Sequence, residues 1–272
     1  MAVQSFHQKL RNSWQKSGSL LCVGIDPDLE RLPSELAAAE KAFFEFGKAI
    51  VEATAPYVCA FKPQAAHFAA VGKENELAEL IEFTKTRFPE IPVILDAKRG
   101  DVGSTAKLYA REAFERYNAD AVTVSPYLGK DSLEPYFAYK ERGIVVLCRT
   151  SNPGSDWLQN SPDDEQPTYL RVAEQIGQWD NFEQCMLVTG ATYPEELAKV
   201  RAAVGRLPLL VPGIGAQGGS VQEVLKNGLD SDGVGLVISS SRAIIFADSG
   251  SEYASAAAAA AQEAMQEINK YR

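Results

Sequence analysis

The chain has 272 residues, of which 46% are hydrophobic and 23% are charged, an ordinary globular composition whose length suits a single α/β barrel. Its formal net charge of −9 argues against a general nucleic-acid binder, because no surplus of basic residues is present to neutralise phosphates. No signal peptide is expected, because no basic start is followed by an apolar core, and no membrane span is expected, because the longest apolar stretch is the short alanine run 256–261.

Cysteine and histidine usage indicates a reducing compartment and no zinc site. The four cysteines lie in or beside apolar runs, no CxxC pair occurs, and the chain has only two histidines. We therefore expect free buried thiols, a cytoplasmic location and no metal.

Short apolar runs alternate with amphipathic segments along the whole chain. A first helix is predicted over 5–16. Strands are predicted over 20–25, 57–61, 91–95, 121–124, 144–148, 185–188, 209–211 and 233–238. The helices between and after them are predicted over 36–55, 75–88, 104–117, 132–141, 168–178, 194–204, 220–226 and 252–270.

Eight strands separated by helices, several of them apolar throughout, indicate parallel pairing with both sheet faces buried. The count favours a single (β/α)₈ TIM barrel over an open sheet, with the extra N-terminal helix covering its bottom. No linker rich in glycine, proline or serine divides the chain, so residues 1–272 are expected to form one domain. The irregular segment 150–167 is long for a connection and is a candidate lid.

The most informative run is Asp96-Ala97-Lys98-Arg99-Gly100-Asp101, directly after a predicted strand. Strand alternation points Asp96 and Lys98 the same way, and Gly100 permits a turn that brings in the Asp101 carboxylate. Holding these charges together at a strand exit is costly, which suits a site that presents a cation and a proton to developing negative charge. The alternative is a solvated loop with an incidental ion pair.

Further polar residues follow the other predicted strands, where the active sites of such barrels lie. Two lysines and at least three carboxylates converge there. The strand ends contribute Asp26, Lys62, the segment 149–154, the segment 212–219 and the segment 239–242. Stability alone does not explain such a concentration of charge.

The segment 213–219 is rich in glycine and precedes a helix, so its backbone N–H groups can approach an anion closely. The guanidinium of Arg242, after the last strand, would complete a phosphate site. A purely conformational role for the glycines is the alternative.

Four motifs make the chain resemble the orotidine 5′-phosphate decarboxylase family, in its longer bacterial branch (type 2), along nearly its whole length. These motifs are Phe61-Lys62-Pro63-Gln64-Ala65-Ala66-His67-Phe68, Asp96-Ala97-Lys98-Arg99-Gly100-Asp101-Val102-Gly103-Ser104-Thr105, Ser151-Asn152-Pro153-Gly154 and Pro212-Gly213-Ile214-Gly215-Ala216-Gln217-Gly218-Gly219. Of these motifs, related sugar-phosphate enzymes of the same barrel group share only the DxKxxD pattern.

The resemblance implies decarboxylation of orotidine 5′-phosphate to uridine 5′-phosphate without metal or cofactor. Lys62, Asp96, Lys98 and Asp101 would form an alternating charged array, with Lys98 as the proton donor to C6 of the pyrimidine. Asp101 and Thr105 would reach across a homodimer interface to the neighbouring subunit's ribose.

Substrate-binding roles are implied in the same way. Asp26 would hold a ribose hydroxyl, and Ser151 would hydrogen-bond the pyrimidine amide edge. The 5′-phosphate would be held by Gln217, Arg242 and the backbone near Ser241, with the loop from Pro212 closing over it. Ser241 stands where many relatives carry glycine, which bears on how closely the backbone approaches the phosphate. His67 is interpreted as a packing or helix-surface residue.

A rival reading is a magnesium-dependent sugar-phosphate decarboxylase or aldolase of the same barrel group. Those enzymes need a carboxylate ligand at the end of the second strand, where this chain has Lys62. A second alternative, a catalytically silent nucleotide-binding barrel, would be expected to lack a member of the array, yet all four are present.

Overall fold

The structure, a computed structural model, describes residues 4–162, 166–180, 183–214 and 219–272. Within these residues the strands follow one another as β1 (Leu21–Ile25), β2 (Ala60–Pro63), β3 (Ile94–Arg99), β4 (Ala121–Val124), β5 (Gly143–Arg149), β6 (Cys185–Thr189), β7 (Leu209–Pro212) and β8 (Leu236–Ser240). Neighbouring strands pair in parallel in the order β2-β1-β8-β7-β6-β5-β4-β3.

The two strands at the ends of this order also meet. Parallel bridges join Phe61 to Val93 and Gln64 to Asp96, and the Phe61 amide donates to the Pro92 carbonyl at 3.0 Å. The sheet therefore closes on itself, and the prediction of a (β/α)₈ barrel is confirmed.

Helices connect the strands and surround the barrel, as right-handed crossovers between parallel strands require. They are α1 (Phe6–Ser17), α2 (Ser34–Ala37), α3 (Ala42–Thr54), α4 (Ala65–Ala69), α5 (Glu74–Arg87), α6 (Gly103–Arg111), α7 (Lys130–Phe137), α8 (Asp156–Gln159), α9 (Thr168–Trp179), α10 (Pro194–Val204), α11 (Val221–Gly228), α12 (Arg242–Ile245) and α13 (Tyr253–Lys270). Single 3₁₀ turns occur at Leu29–Arg31, Ala55–Tyr57 and Pro153–Ser155, and a π turn at Glu112–Arg116 continues α6.

The hydrophobic core lies inside the barrel and between the sheet and its helices. Every residue of β1, β4 and β6 is buried, which accounts for their apolar sequences. Between α3 and the C-terminal part of the chain, the Phe46 ring stacks on Phe246 at 5.5 Å and on Tyr253 at 5.6 Å between centroids. Such aromatic pairs add about 1 kcal/mol each beyond the apolar area they bury.

Helix α1 covers the end of the barrel where the strands begin. His7 Nε2 donates to the Cys185 carbonyl at 2.6 Å, and Ser13 Oγ donates to the Cys59 carbonyl at 2.7 Å. Phe6 packs so closely that a Cβ added to Gly143 would lie 2.6 Å from its ring. The predicted N-terminal helix and its position are therefore confirmed, and the opposite end of the barrel remains accessible.

The helix predicted over 36–55 is two helices in the structure. Helix α3 starts at Ala42 because the buried Glu76 carboxylate, on α5, accepts hydrogen bonds from the Phe43 and Phe44 amides at 2.8 and 2.9 Å. These amides have no partner within their own helix, so a distant acidic side chain fixes where the helix begins.

The largest differences between the predicted and the observed strand boundaries concern β2, β3 and β8. β2 starts at Ala60 rather than 57, because Ala55–Tyr57 forms a 3₁₀ turn around Pro56. β8 starts at Leu236 rather than 233, because Gly233 and Gly235 have φ values of 70° and 87°, which break a strand. β3 starts at Ile94 rather than 91 and continues to Arg99, four residues past its predicted end. Among the described residues, no helix has the length and apolarity needed to cross a membrane.

Candidate active site

The Asp96 carboxylate is the centre of a buried polar cluster at the exit of β3. Its Oδ1 accepts hydrogen bonds from Lys98 Nζ at 2.6 Å and from Thr123 Oγ1 at 2.9 Å. Its Oδ2 accepts from Lys62 Nζ at 2.8 Å and from Gln64 Nε2 at 3.2 Å. Only 6% of Asp96 and 6% of Lys62 is exposed, so these charges compensate each other away from bulk water.

The pKa values of Asp96 and Lys62 both favour the charged forms of these two side chains. Burial by itself would raise the pKa of Asp96, but the ammonium groups of Lys62 and Lys98 outweigh it and hold the pKa well below its usual range. Burial would likewise lower the pKa of Lys62, yet the carboxylates of Asp96 and Asp26 raise it above its usual value. The site thus holds a fixed carboxylate between two fixed cations.

Lys98 reaches this position through an unusual backbone conformation. Its φ is 46°, in the left-handed region that side-chain-bearing residues seldom adopt. Strand alternation predicted that Asp96 and Lys98 share a face, and their side chains do meet, but the backbone at Lys98 has left the regular strand. The pairing of β3 with β4 shifts register between Leu95 and Arg99 at the same point. The Lys98 side chain is 48% exposed and faces a cavity.

This cavity, of about 580 Å³, opens at the carboxyl ends of the strands. Lys62, Asp96, Lys98 and Thr123 line one side of it. The rest of the lining is contributed by β5, β6, β7 and the segment after β5: Leu147, Thr150, Ser151, Asn152, Ser155, Trp157, Leu158, Gln159, Val188, Leu210 and Pro212. A charged wall therefore faces a wall of mixed polar and apolar side chains, in a volume typical of small-molecule sites.

Ser151, for which the resemblance implies a contact with the pyrimidine, lies on this cavity. The barrel backbone approaches it tightly, since a Cβ added to Gly190 would lie 2.8 Å from Ser151 Cα and 2.8 Å from its amide nitrogen. The segment after β5 is anchored from below by Arg149, whose side chain is fully buried. Its guanidinium pairs with Asp156 and Glu196 and donates to Ser155 Oγ at 2.5 Å.

The segment 150–167, predicted as a candidate lid, is partly described. It contains the 3₁₀ turn Pro153–Ser155 and α8, and the Gln159 side chain accepts from the Thr150 amide at 2.8 Å. Residues 163–165 lie outside the described residues, and the movement of the segment stays a prediction.

The expected phosphate loop is described at its two ends. Pro212 lines the cavity, Gly213 has a φ of 99°, and the Gly219 amide donates to the Gly213 carbonyl at 3.2 Å, which draws the ends of the loop together. Gln217 lies in 215–218, outside the described residues.

Arg242 begins α12 next to the end of β8, and its side chain is exposed. The preceding Ser241 has a φ of −124°, which any residue can adopt, so its backbone does not require the glycine that many relatives carry. Ser241 packs tightly, because a Cβ added to Gly24 on β1 would lie 2.8 Å from Ser241 Cβ.

Asp26, predicted to bind a ribose hydroxyl, follows β1 beside Lys62. Its Oδ1 is buried and has no hydrogen-bond partner among the residues the structure describes. A buried carboxylate oxygen of this kind is an open acceptor for a donor from outside the chain.

Asp101 and Thr105 lie apart from the cluster. The Asp101 carboxylate is half-buried and accepts from the Val102 amide at 2.8 Å, and Thr105 is exposed on α6. Within one chain, the structure therefore brings together Lys62, Asp96 and Lys98, while Asp101 and Thr105 are not among the described residues that line the cavity.

Two residues that donate to Asp96, Gln64 and Thr123, were not among the predicted site residues. Gln64 belongs to the Phe61–Phe68 motif, and its position two residues after Lys62 could have indicated a place in the site. Thr123 is the single polar residue of β4, which read as an ordinary buried strand. His67, interpreted as a packing or helix-surface residue, lies on the surface of α4, where its Nδ1 donates to the Pro27 carbonyl at 2.8 Å.

Comparison with known proteins agrees with this geometry. The sequence model of the Orotidine 5′-phosphate decarboxylase / HUMPS family matches residues 19–257. The Orotidine 5′-phosphate decarboxylase of Cellvibrio japonicus (strain Ueda107) is 52% identical over 271 residues, which cover 98% of this chain and 99% of that protein. The protein of the same name from Cupriavidus taiwanensis is 53% identical over 269 residues, which cover 98% of this chain and 99% of the relative.

A solved structure extends the agreement to three dimensions. The Leishmania donovani OMP decarboxylase superposes with a TM-score of 0.86 at 40% sequence identity, covering 98% of this chain and 99% of that one. With a family match over most of its length and relatives that are identical at half of all positions, this chain belongs to the orotidine 5′-phosphate decarboxylase / HUMPS family.

Proposed function

We propose that this chain is a carboxy-lyase that converts orotidine 5′-phosphate to uridine 5′-phosphate, the last step in making uridylate. The observation that carries the proposal is the buried Lys62–Asp96–Lys98 cluster at the edge of the 580 Å³ cavity. The near-full-length relatives that bear the name of this activity support it.

The chemistry explains why a fixed cation is needed. When the bond between C6 and the substrate carboxylate breaks, carbon dioxide leaves and the electron pair remains in an sp² orbital at C6. The pyrimidine ring delocalises this pair poorly, so the uncatalysed barrier is very high and an enzyme must remove on the order of 20 kcal/mol.

Lys98 supplies the cation and the proton. Its ammonium donates to Asp96 and is half exposed to the cavity, so it has hydrogens left for the reacting carbon. At about 4 Å and an effective dielectric constant of about 20, one pair of unit charges gains roughly 4 kcal/mol. The ammonium then transfers a proton to C6, which completes uridine 5′-phosphate.

The remaining stabilisation comes from binding and preorganisation. Phosphate and ribose contacts far from C6 provide binding energy that orders the site around the reacting carbon. Asp96, next to the substrate carboxylate, adds repulsion that falls as carbon dioxide leaves, while Lys62 keeps Asp96 ionised.

The binding contacts are assigned as follows. Asp26 accepts from a ribose hydroxyl through its open Oδ1, and Ser151 contacts the amide edge of the pyrimidine from the cavity wall. Arg242, Gln217 and the backbone at Ser241 hold the phosphate, over which the loop from Pro212 closes. The glycine at 213 and the exposed guanidinium of Arg242 support the phosphate assignment.

The active form is proposed to be a homodimer in which Asp101 and Thr105 complete the neighbouring subunit's site. Around these residues the surface carries exposed apolar side chains on the loops and helices after β3 and β4: Val102, Leu108, Tyr127 and Leu128, which are 44 to 75% exposed. Apolar patches of this kind mark surfaces that pair with another chain.

Two further assignments concern the chain as a whole. Residues 1–272 are proposed to act as one domain. A cytoplasmic location is supported by the four cysteines, which are free and buried.

The magnesium-dependent alternative is not favoured. Lys62 lies at the end of β2, where those enzymes need a carboxylate, and both oxygens of Asp96 already accept hydrogen bonds from ammonium groups.

The direct test is to mix the purified chain with orotidine 5′-phosphate and follow the loss of its ultraviolet absorbance, with and without EDTA. We expect turnover at the same rate in both samples. Absence of turnover would reject the proposed substrate, and inhibition by EDTA would favour the magnesium-dependent chemistry.

A further inference from the structure

The hydroxyl of Thr123 makes three hydrogen bonds to the residues that carry the proposed chemistry. Thr123 lies on β4 and is 1% exposed. Its Oγ1 donates to Asp96 Oδ1 at 2.9 Å and accepts from the Ala97 and Lys98 amides, each at 2.9 Å. Thr123 on β4 thus holds both the Asp96 carboxylate and the backbone of Lys98 on the neighbouring strand β3.

The directions of these bonds follow from the partners. Backbone amides can only donate, and an ionised carboxylate can only accept. A hydroxyl has one hydrogen and two lone pairs, so all of its bonding capacity is used here. Rotation of the Thr123 hydroxyl is therefore fixed, and so is the oxygen of Asp96 that also receives Lys98 Nζ.

The same hydroxyl replaces part of the sheet ladder. Regular pairing between β3 and β4 is interrupted between Leu95 and Arg99, where the Ala97 and Lys98 amides turn to a side chain instead of a carbonyl. The positive φ of Lys98 occurs within this interruption. A buried hydroxyl that binds two successive amides compensates for a backbone conformation that lysine otherwise avoids.

We propose that Thr123 is a positioning residue, which keeps Asp96 and the left-handed backbone of Lys98 in the arrangement that presents the Lys98 ammonium to the cavity. The proposal rests on the catalytic roles assigned above to Asp96 and Lys98, and it adds a residue from a neighbouring strand that acts through them. Valine has nearly the shape of threonine without the hydroxyl, whereas serine keeps the hydroxyl, so the pair separates hydrogen bonding from packing.

The test measures kcat and KM for orotidine 5′-phosphate, and the affinity for uridine 5′-phosphate, in Thr123→Val and Thr123→Ser. Displacing a catalytic group by about 1 Å costs on the order of 100-fold, so we expect kcat of Thr123→Val to fall by about 100-fold, with KM and product affinity within about threefold. Thr123→Ser should retain kcat within about fivefold. Thr123→Ala is measured beside them, as a second variant without the hydroxyl in case the valine variant does not fold.

Thr84→Val is the matched control. Thr84 is also a buried threonine, but its hydroxyl donates only to the Leu80 carbonyl in its own helix, so its kcat should be normal. Near-normal kcat in the variants without the hydroxyl, or an equal loss in Thr123→Ser, would overturn the positioning role. Lys98→Ala, assayed in parallel, distinguishes failure of the proposed function from failure of the positioning role. If Lys98→Ala remains active, the catalytic role assigned to Lys98 is wrong, independently of the result for Thr123.

Discussion

Hydrogen bonds from neighbouring side chains hold the charged groups of Asp96 and Lys98 in position. Asp96 has four donors, and two of them are ammonium groups that keep it ionised despite burial. Lys98 is the exposed member of the cluster, and it alone combines a fixed position with a free approach to the cavity. The residue types at 62, 96 and 98 could be assigned to the site from the sequence, because strand alternation and the position of strand ends are local rules.

Replacement of the proposed proton donor should stop the reaction without emptying the site. We expect Lys98→Ala to lose turnover by several orders of magnitude, because both the cation at C6 and the proton are removed, while uridine 5′-phosphate still binds through ribose and phosphate. Steady-state kinetics and calorimetric titration with the product measure the two effects. Lys199→Ala, an exposed lysine on α10, is the control. Retention of a tenth of the normal rate by Lys98→Ala would rule out its role.

Acid sensitivity should reveal the charge pair of Asp96 and Lys62. Because the folded-state pKa of Asp96 is lowered, its ionised form stabilises the protein above the ordinary carboxyl pKa of about 4, and this stabilisation is lost as the pH falls towards the lowered value. In Lys62→Met one cation is gone, so the pKa of Asp96 should rise towards or above the ordinary carboxyl value, and the loss of stability below about pH 4 should be smaller than in the unchanged chain.

The measurement is the melting temperature of both proteins between pH 3.5 and 7. At neutral pH we expect Lys62→Met to be less stable by about 3 kcal/mol, since a buried carboxylate loses a partner. Superimposable acid limbs in the two proteins would contradict the coupling.

Among the helices, strands and loops, the parts that followed local patterns were predicted well and the parts that depend on distant partners were not. Helix α10 has the predicted bounds, because Pro194 and the amphipathic pattern are local. The start of α3 was missed because its amides are bound by Glu76, more than 30 residues away. Thr123 was missed for the same reason: its partners lie on another strand, and nothing in its own surroundings marks it.

Gly190, directly after β6, lies close to Ser151 in the segment after β5, and this contact gives a testable prediction. In Gly190→Ala the new methyl group would lie 2.8 Å from the backbone of Ser151, so this segment must shift away from the cavity wall. We expect KM for orotidine 5′-phosphate to rise by about tenfold, with a lower melting temperature.

Gly177→Ala is the matched control, since Gly177 lies in α9 and nothing is within 4 Å of its added Cβ. This variant should keep normal kinetics and gain about 1 kcal/mol of stability, because alanine favours a helix. Normal KM in Gly190→Ala would show that the position of Ser151 does not matter for binding.

The two ends of the barrel differ in structure: one is closed by α1, and the other contains the candidate active site. The end covered by α1 is held by apolar packing and hydrogen bonds to strand starts, and the other end carries the charged cluster and the cavity. This architecture was predictable from the count and spacing of the strands. The proposed partner subunit could be predicted only through the resemblance, because the exposure of Val102, Leu108 and Tyr127 is a property of the folded surface.

Mixing two inactive variants should test whether sites are shared between subunits. If Asp101 serves the neighbouring site, a dimer of Lys98→Ala with Asp101→Asn has one site with both defects and one site with neither. Random exchange of subunits should then restore about a quarter of the normal activity. Activity assays after mixing, with sedimentation to establish the dimer, are the measurement. If mixing restores nothing while hybrid dimers form, Asp101 acts within its own chain.

The placement of the chain ends has a practical consequence. Arg272 donates to the carbonyls of Gly233 and Gly18, and Asn269 donates to Gly18 as well, so the last residues lie beside α1 where β1 and β8 begin. Ser5 caps α1 at this same pole. A bead or a fusion partner attached before Ser5 or after Arg272 would therefore lie at the end of the barrel that α1 covers. The cavity, at the opposite end, would stay open.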